Sequence, residues 1–265
     1  MLIPRSIAAI LLANALKLAN DNLSTLPFGP DVSHFQGAVN WAKVKAGGAS
    51  FGIAKASEGL DYVDKQFAAN WKGMAAAGLR VRGAYHFAHP AEDAAAQARH
   101  FVTTVAMGGR NTSAGDFYVL DIEDVTQQLV DQEIGAAEVV AWCTAWVKTV
   151  MTTTGMPARR VVIYTGAWFW DPHTDGSAAL SGHPLWVSCY TNASRPSLPK
   201  GWGSWALWQF TDSGKIGGVG ASVDMSRFNG TLAELEALFA DERQEELDDR
   251  MRRMLEGRQD EWSLY

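Results

Sequence analysis

Cysteine is scarce. Cys143 and Cys189 are the two present in 265 residues, too few for a disulfide scaffold and without the spacing of metal ligands. Both read as small buried hydrophobes, Cys143 in a predicted helix and Cys189 in a predicted strand. There is no run of Lys and Arg, and a formal net charge of -6 with a sequence pI near 5.5 excludes the basic face of a nucleic-acid binder. The stretches "GGVG" and "AGGAS" lack the Lys and the strand-to-helix setting of a phosphate loop, so no nucleotide cofactor is implied. No apolar run is long enough to cross a membrane. Near the N-terminus, "MLIPRSIAAILLANALKLAND" is interrupted by Asn14 and Lys17. An amphipathic helix or loose arm over residues 1–26 is favoured there over a cleaved signal peptide.

What is present is a chain that is 47% hydrophobic and 20% charged, enough to bury the core of one main domain. Its 11 tryptophans exceed what a core requires. Flat side chains in that number suit stacking on sugar rings or bases, and the acidic balance favours sugars.

From Phe28 the sequence offers eight strand candidates: "FGPDVSHFQ", "ASFGIAKASEG", "LRVRGAYHFAHP", "DFYVLDIED", "RRVVIYTGAWFW", "HPLWVSCY", "WALWQFT" and "ASVDMSRF". Amphipathic helical stretches separate the first five, among them "DKQFAANWKGMAAAG", "AEDAAAQARHFVTTVA" and "AAEVVAWCTAWVKTVMTTTG". That alternation implies parallel strands in an α/β fold. The last three are joined by Gly-, Pro- and Ser-rich loops too short or broken for crossover helices. The fold expected is an irregular TIM-like (β/α)5(β)3 barrel over residues 27–240, with short helical extensions over 1–26 and 241–265. In such barrels the C-terminal strand ends carry function, and here they are unusually polar: Asp31, Ser33 and His34; Lys55 and Glu58; Tyr85 and His86; Asp121 and Glu123; Tyr164; Tyr190; Gln209; Asp224.

In "FYVLDIED", four apolar residues run into Asp121, Glu123 and Asp124. Side chains alternate along a strand, so Asp121 and Glu123 share one face, with Cα atoms about 6.6 Å apart. Two carboxylates so placed can flank a scissile glycosidic bond; a solvated strand end is the competing explanation.

In this order, "GPDVSHFQG" with "VNWAKVKAGGASFGIAKASEG", "YVDKQFAANWKGMAAAGLRVRGAYHF", "YVLDIED", "VVIYTGAWFW", "LWVSCY", "WALWQFT" and "VDMSRFNG" resemble the glycoside hydrolase family 25 lysozymes, the Chalaropsis-type muramidases, over about residues 29–240. The resemblance implies a bacterial cell-wall hydrolase, often of phage origin, that cuts the β-1,4 bond after N-acetylmuramic acid in peptidoglycan. It implies a catalytic pair at Asp121 and Glu123 with supporting acids at Asp31 and Asp224. Pro30 and Phe35 stand where the family usually has an apolar residue and Trp, departures that leave the acids untouched. Chitinase-like enzymes show D-x-x-D-x-D-x-E, and Val119 occupies the position of the middle Asp, which weighs against that chemistry.

Four carboxylates converging on a barrel mouth repel one another, so at least one keeps its proton near neutral pH. Glu123, further out on the strand and longer, is expected to protonate the glycosidic oxygen while Asp121 stays ionised. Whether Asp121 attacks the sugar, activates water or steadies a substrate-assisted ring is left open by the spacing. Tyr62, Tyr85, Tyr164, Trp186, Tyr190 and Trp208 read as sugar platforms or barrel core, with about half expected to touch substrate. Glu58 reads as a substrate-positioning residue or a partner of Lys55. His86 and His89, three apart on a strand, face opposite ways, so hydrogen-bonded histidines are favoured over a metal site.

No metal or cofactor is expected. The expected partner is peptidoglycan glycan strands, with no nucleic acid and no stable membrane insertion. The expected site of action is the bacterial cell wall, reached by secretion or phage delivery. Residues 241–265 hold nine acids against five arginines, with Glu246–Arg250, Asp248–Arg252 and Asp249–Arg253 in the favourable helical order. A stripe of Leu247, Met251 and Met254 or Leu255 suits self-association or virion attachment.

Overall fold

The computed structural model describes residue 23 and residues 25–109, 115–123 and 126–241, the side chains of 126–128 excepted. The expected arm and charged extension therefore lie almost wholly outside the described residues, as does Asp124.

All eight strand candidates form. They are β1 (Phe28–Val32), β2 (Phe51–Glu58), β4 (Val81–Phe87), β5 (Gly115–Asp121), β6 (Val161–Thr165), β7 (Leu185–Ser188), β8 (Leu207–Gly214) and β9 (Val223–Phe228), with β3 (Tyr62–Val63) a short hairpin partner of β2. The order β1-β9-β8-β7-β6-β5-β4-β2 closes into a barrel because β1 also pairs with β2, at Asp31 with Ile53 and Val32 with Ala54. Every neighbouring pair from β1 through β2 and β4 to β8 is parallel. Strand β9 is antiparallel to both its neighbours.

The crossovers carry α1 (Trp41–Ala46), α2 (Phe67–Ala76), α3 (Ala94–Gly108), α4 (Thr126–Asp131) with α5 (Ala136–Thr154), and α6 (Ala167–Thr174). Helix α5 shows why such segments fold. Glu138 accepts from the Gly135 N–H at its start (2.7 Å), and Gly155 ends it in the left-handed conformation. Val139, Trp142, Cys143, Trp146, Val147 and Val150 recur at helical spacing and are buried, each such side chain stabilising by about 1.5–3 kcal/mol. One expected strand is too long. "RRVVIYTGAWFW" stops as a strand at Thr165, and α6 begins after Gly166. A side chain at Gly166 would meet the Trp168 indole and the Ser188 carbonyl, so the turn needs glycine.

Strand alternation sorts the apolar residues into two cores. Outward-facing side chains such as Ala54, Leu120, Ile163 and Trp208 pack with the helices. Inward-facing Phe51, Ile53, Val81, Phe117, Val119, Val162, Tyr164, Trp186, Leu207 and Phe228 fill the barrel. Because β8 turns back into β9 at the mouth, the chain leaves β9 at the opposite end. There α7 (Leu232–Phe239), capped by Thr231 and Glu234, inserts Leu235 and Phe239 as a floor. Phe239 stacks on Phe117 at 4.2 Å.

Candidate active site

Above this apolar filling the inward rows turn polar. Asp31 tops β1, Lys55 β2, Tyr85 β4, Asp121 β5, Tyr164 β6 and Gln209 β8. Asp224 lies near the start of its strand, yet antiparallel β9 brings it to the mouth, in register beside Asp31. The sheet pattern continues past Asp121: the Ile122 N–H donates to the Tyr164 carbonyl (3.0 Å). Ile122 is fully buried, and Glu123, half-buried, lines the cleft beyond. The four expected carboxylates thus meet at one place, contributed by three strands. Asp116, at the other end of β5, instead forms a two-pronged ion pair with Arg82 (2.9 and 3.0 Å).

Charge and burial are in conflict here. Burial, and after it the charge of Asp224, pushes the Asp31 carboxyl well above its usual range, against a hydrogen bond from Gln209. Burial and then Glu123 push Asp121 up, with Lys55 opposing. Burial and then Asp212 push Asp224 up to about 6, against a hydrogen bond with Asp31. Sequence reasoning puts the proton on Glu123 and leaves Asp121 charged. With Asp121 6% exposed, burial works against its charge, as it does at Asp31 and Asp224, so the cluster resists full ionisation.

On the β2 side, Lys55 Nζ donates to Glu58 Oε2 (2.6 Å), and Glu58 Oε1 meets His89 Nε2 (3.1 Å). Both oxygens of Glu58 are therefore engaged in an ion-pair chain, the structural alternative to positioning substrate. His86 is buried between Ser57 Oγ (2.9 Å) and Gln97 Oε1 (3.0 Å), and burial pushes it down to about 3. The two imidazoles have different partners, although Gln97 also binds the His89 backbone, and among the described residues no cluster of His, Cys, Asp and Glu could hold a metal ion.

The aromatic candidates divide by burial. Trp186, 2% exposed, donates to Ser226 Oγ inside the barrel, and Trp208, 1% exposed, donates to the Cys189 carbonyl in the outer core. Both are core residues and cannot be platforms. Tyr164 is also buried, its hydroxyl donating to Gln209 Oε1 (2.8 Å). Tyr62 and Tyr190 remain exposed, and Tyr85 is half-buried. Sequence reasoning misses Trp168. It is 54% exposed and lines a cleft of about 570 Å³ with Glu123, Tyr190 and Ser197. Reading "AWFW" as strand hid it; Gly166 was the signal that the strand had ended. Exposed aromatic rings therefore flank the acids on both sides, Tyr62 and Phe35 beyond β1 and β2, Trp168 and Tyr190 beyond β6 and β7. Among the described residues no helix is long and apolar enough to cross a membrane.

The family described as Glycosyl hydrolases family 25 matches residues 30–219. Lysozyme M1 of Streptomyces globisporus is 39% identical over 216 residues, covering 79% of this chain and 70% of that protein. The N,O-diacetylmuramidase of Chalaropsis sp is 34% identical over 217 residues, 79% of this chain and 97% of that protein. The crystal structure of the bacterial lysozyme from Streptomyces coelicolor has a TM-score of 0.71 and 35% identity, covering 80% of this chain and 96% of that one. The family match and the barrel overlap over residues that include Asp31, Asp121 and Glu123, with Asp224 just beyond the match, and the chain belongs to glycoside hydrolase family 25.

Proposed function

We propose that this protein is a lysozyme, an N-acetylmuramidase that hydrolyses the β-1,4 bond between N-acetylmuramic acid and N-acetylglucosamine in peptidoglycan. The observation that carries this reading is a half-exposed Glu123 on the cleft wall, backed by buried Asp121 and Asp31. Glu123 is the member of the cluster that can reach a glycosidic oxygen, and it donates the proton as the bond breaks. Asp121 faces the positive charge that develops on the sugar ring and stabilises it. Asp31 and Asp224 keep the negative charge and the protons of the site in balance. The relatives' names, a lysozyme and an N,O-diacetylmuramidase, support the same bond and polymer. A non-catalytic binding module is disfavoured, because burying mutually repelling carboxylates costs stability and adds nothing to sugar binding.

Glu123→Gln tests the assignment. Release of reducing ends from purified peptidoglycan should fall at least about a hundredfold, while pull-down on insoluble peptidoglycan and the melting temperature stay near wild type. Near-normal turnover in this variant would remove Glu123 from the acid role. Delivery to the wall by secretion or phage particle, with self-association or particle attachment through 1–26 and 241–265, belongs to the same reading.

A further inference from the structure

Gln209 is 2% exposed and uses its whole hydrogen-bonding capacity. Its carbonyl accepts from the hydroxyls of Tyr164 and Tyr190 (both 2.8 Å), and its NH2 donates to Asp31 Oδ1 (3.1 Å) and Asp224 Oδ2 (3.3 Å). The orientation of the amide follows from these partners. Turned over, the carbonyl would face two carboxylates and the NH2 two hydroxyls already pointed at it. The backbone makes room for this arrangement: Gln209 sits between the small residues Ser188 and Ser226 on the flanking strands, and β8 shifts register immediately after it. Tyr190 is the notable partner. It is 53% exposed at the cleft that Glu123 lines, while its hydroxyl is tethered to the buried amide.

We propose that Gln209 is a positioning residue that holds Asp31 and Asp224 as one hydrogen-bonded unit and ties that unit to the cleft-side ring of Tyr190. The proposal rests on the muramidase reading above and goes beyond it by linking sugar contact to the ionisation of the site. A sugar stacked on Tyr190 fixes its hydroxyl, which fixes the amide, which in turn holds the two acids. No other side chain of this length supplies two donors on one side and an acceptor on the other. Glu lacks the donors, and Met lacks both.

The groups that share this field come from every strand around it. Asp31 and Asp224 are in contact, Asp212 on β8 acts on Asp224, Glu123 just past β5 acts on Asp31, and Asp121 on β5 is acted on by it. Lys55 and Glu58 on β2 act on Asp121, and the Tyr85, Tyr164 and Tyr190 hydroxyls feel the acids' charge. The NH2 of Gln209 favours ionised Asp31. Without it the cluster takes up an extra proton at higher pH, which moves the acidic limb of the rate profile upward. A carboxylate in its place adds like charge and raises both limbs.

The test is kcat and KM against pH for soluble muropeptide oligomers, with wild type, Gln209→Met, Gln209→Glu and Tyr190→Phe, each also checked by thermal melting. Wild type should give a bell. Gln209→Met should narrow it from the acid side by roughly one pH unit, and Gln209→Glu should translate it upward by roughly as much. Tyr190→Phe should raise KM and move the acidic limb in the same direction by less. Variant profiles that overlay the wild-type bell, with only kcat or melting temperature lowered, would overturn the proposal and leave the muramidase reading standing. If neither Gln209 variant folds, Tyr190→Phe decides: a shifted acidic limb supports the link and an unmoved one overturns it. A wild-type chain that releases no reducing ends takes down both readings.

Discussion

Asp31 Oδ2 and Asp121 Oδ1 are buried oxygens without a hydrogen-bond partner among the described residues, an arrangement that costs about 1–3 kcal/mol for each such group. A site built this way trades stability for chemistry, and pH exposes the trade. The Asp224 carboxyl is raised to about 6 in the fold. A carboxyl raised on folding binds its proton more tightly in the native state. Its contribution is therefore most favourable below the ordinary carboxylate range and turns unfavourable as pH rises towards 6. Asp224→Asn removes that penalty. The variant should melt at least about 2 °C higher than wild type at neutral pH, with the difference shrinking at acid pH and activity reduced at both. A variant that melts lower at neutral pH would show that the charged carboxylate stabilises the fold. At this scale the acids were legible in the sequence, because period-two spacing in "DIE" sets Asp121 and Glu123 on one face. The role of Gln209 was not legible, since its four partners lie on β1, β6, β9 and the segment after β7, and only closure of the barrel brings them together.

Among the elements, the strands were the most readable part. Each carries apolar β-formers bounded by breakers, and all eight form. The direction of β9 was not readable: a loop of mixed Gly and Ser says that no helix intervenes, but only pairing with β1 and β8 shows that the strand runs backward. That reversal is what lifts Asp224 to the mouth and delivers α7 to the floor. Trp186 and Trp208 were ambiguous for a related reason, since alternation tells which faces they take but not that both faces are covered. Packing inside the barrel gives its own test. Gly83 on β4 is in the inward row, where an added Cβ would lie 2.6 Å from the Phe117 ring and 2.9 Å from Ile53. Phe117 is itself held in place by Phe239, which stacks on its ring at 4.2 Å. Gly83→Ala should therefore lose about 1–3 kcal/mol through overpacking, measured by urea denaturation, with kcat little changed if the chain remains folded. Unchanged stability would show that the floor yields more easily than its packing indicates.

For the whole molecule, the barrel has a closed apolar end and a polar end flanked by exposed aromatic rings. The segments outside the resemblance are expected to serve attachment rather than bond cleavage. The barrel's own ties extend to Ala240 and Asp241, which meet Arg159 (2.8 Å) and Arg160 (3.0 Å). A shortened chain of residues 27–241 keeps those ties. It should hydrolyse soluble muropeptide oligomers at close to the full-length rate, while light scattering reports reduced self-association. Loss of folding or of activity on small substrates would make the removed ends part of the catalytic unit.

The most direct measurement is mass spectrometry of the fragments released from purified peptidoglycan, after reduction with borohydride to mark the new reducing ends. Cleavage by the Glu123 and Asp121 pair as proposed leaves N-acetylmuramic acid at every new reducing end, recovered as its alcohol. New ends carrying reduced N-acetylglucosamine, or fragments differing only in their peptide stems, would contradict the assignment.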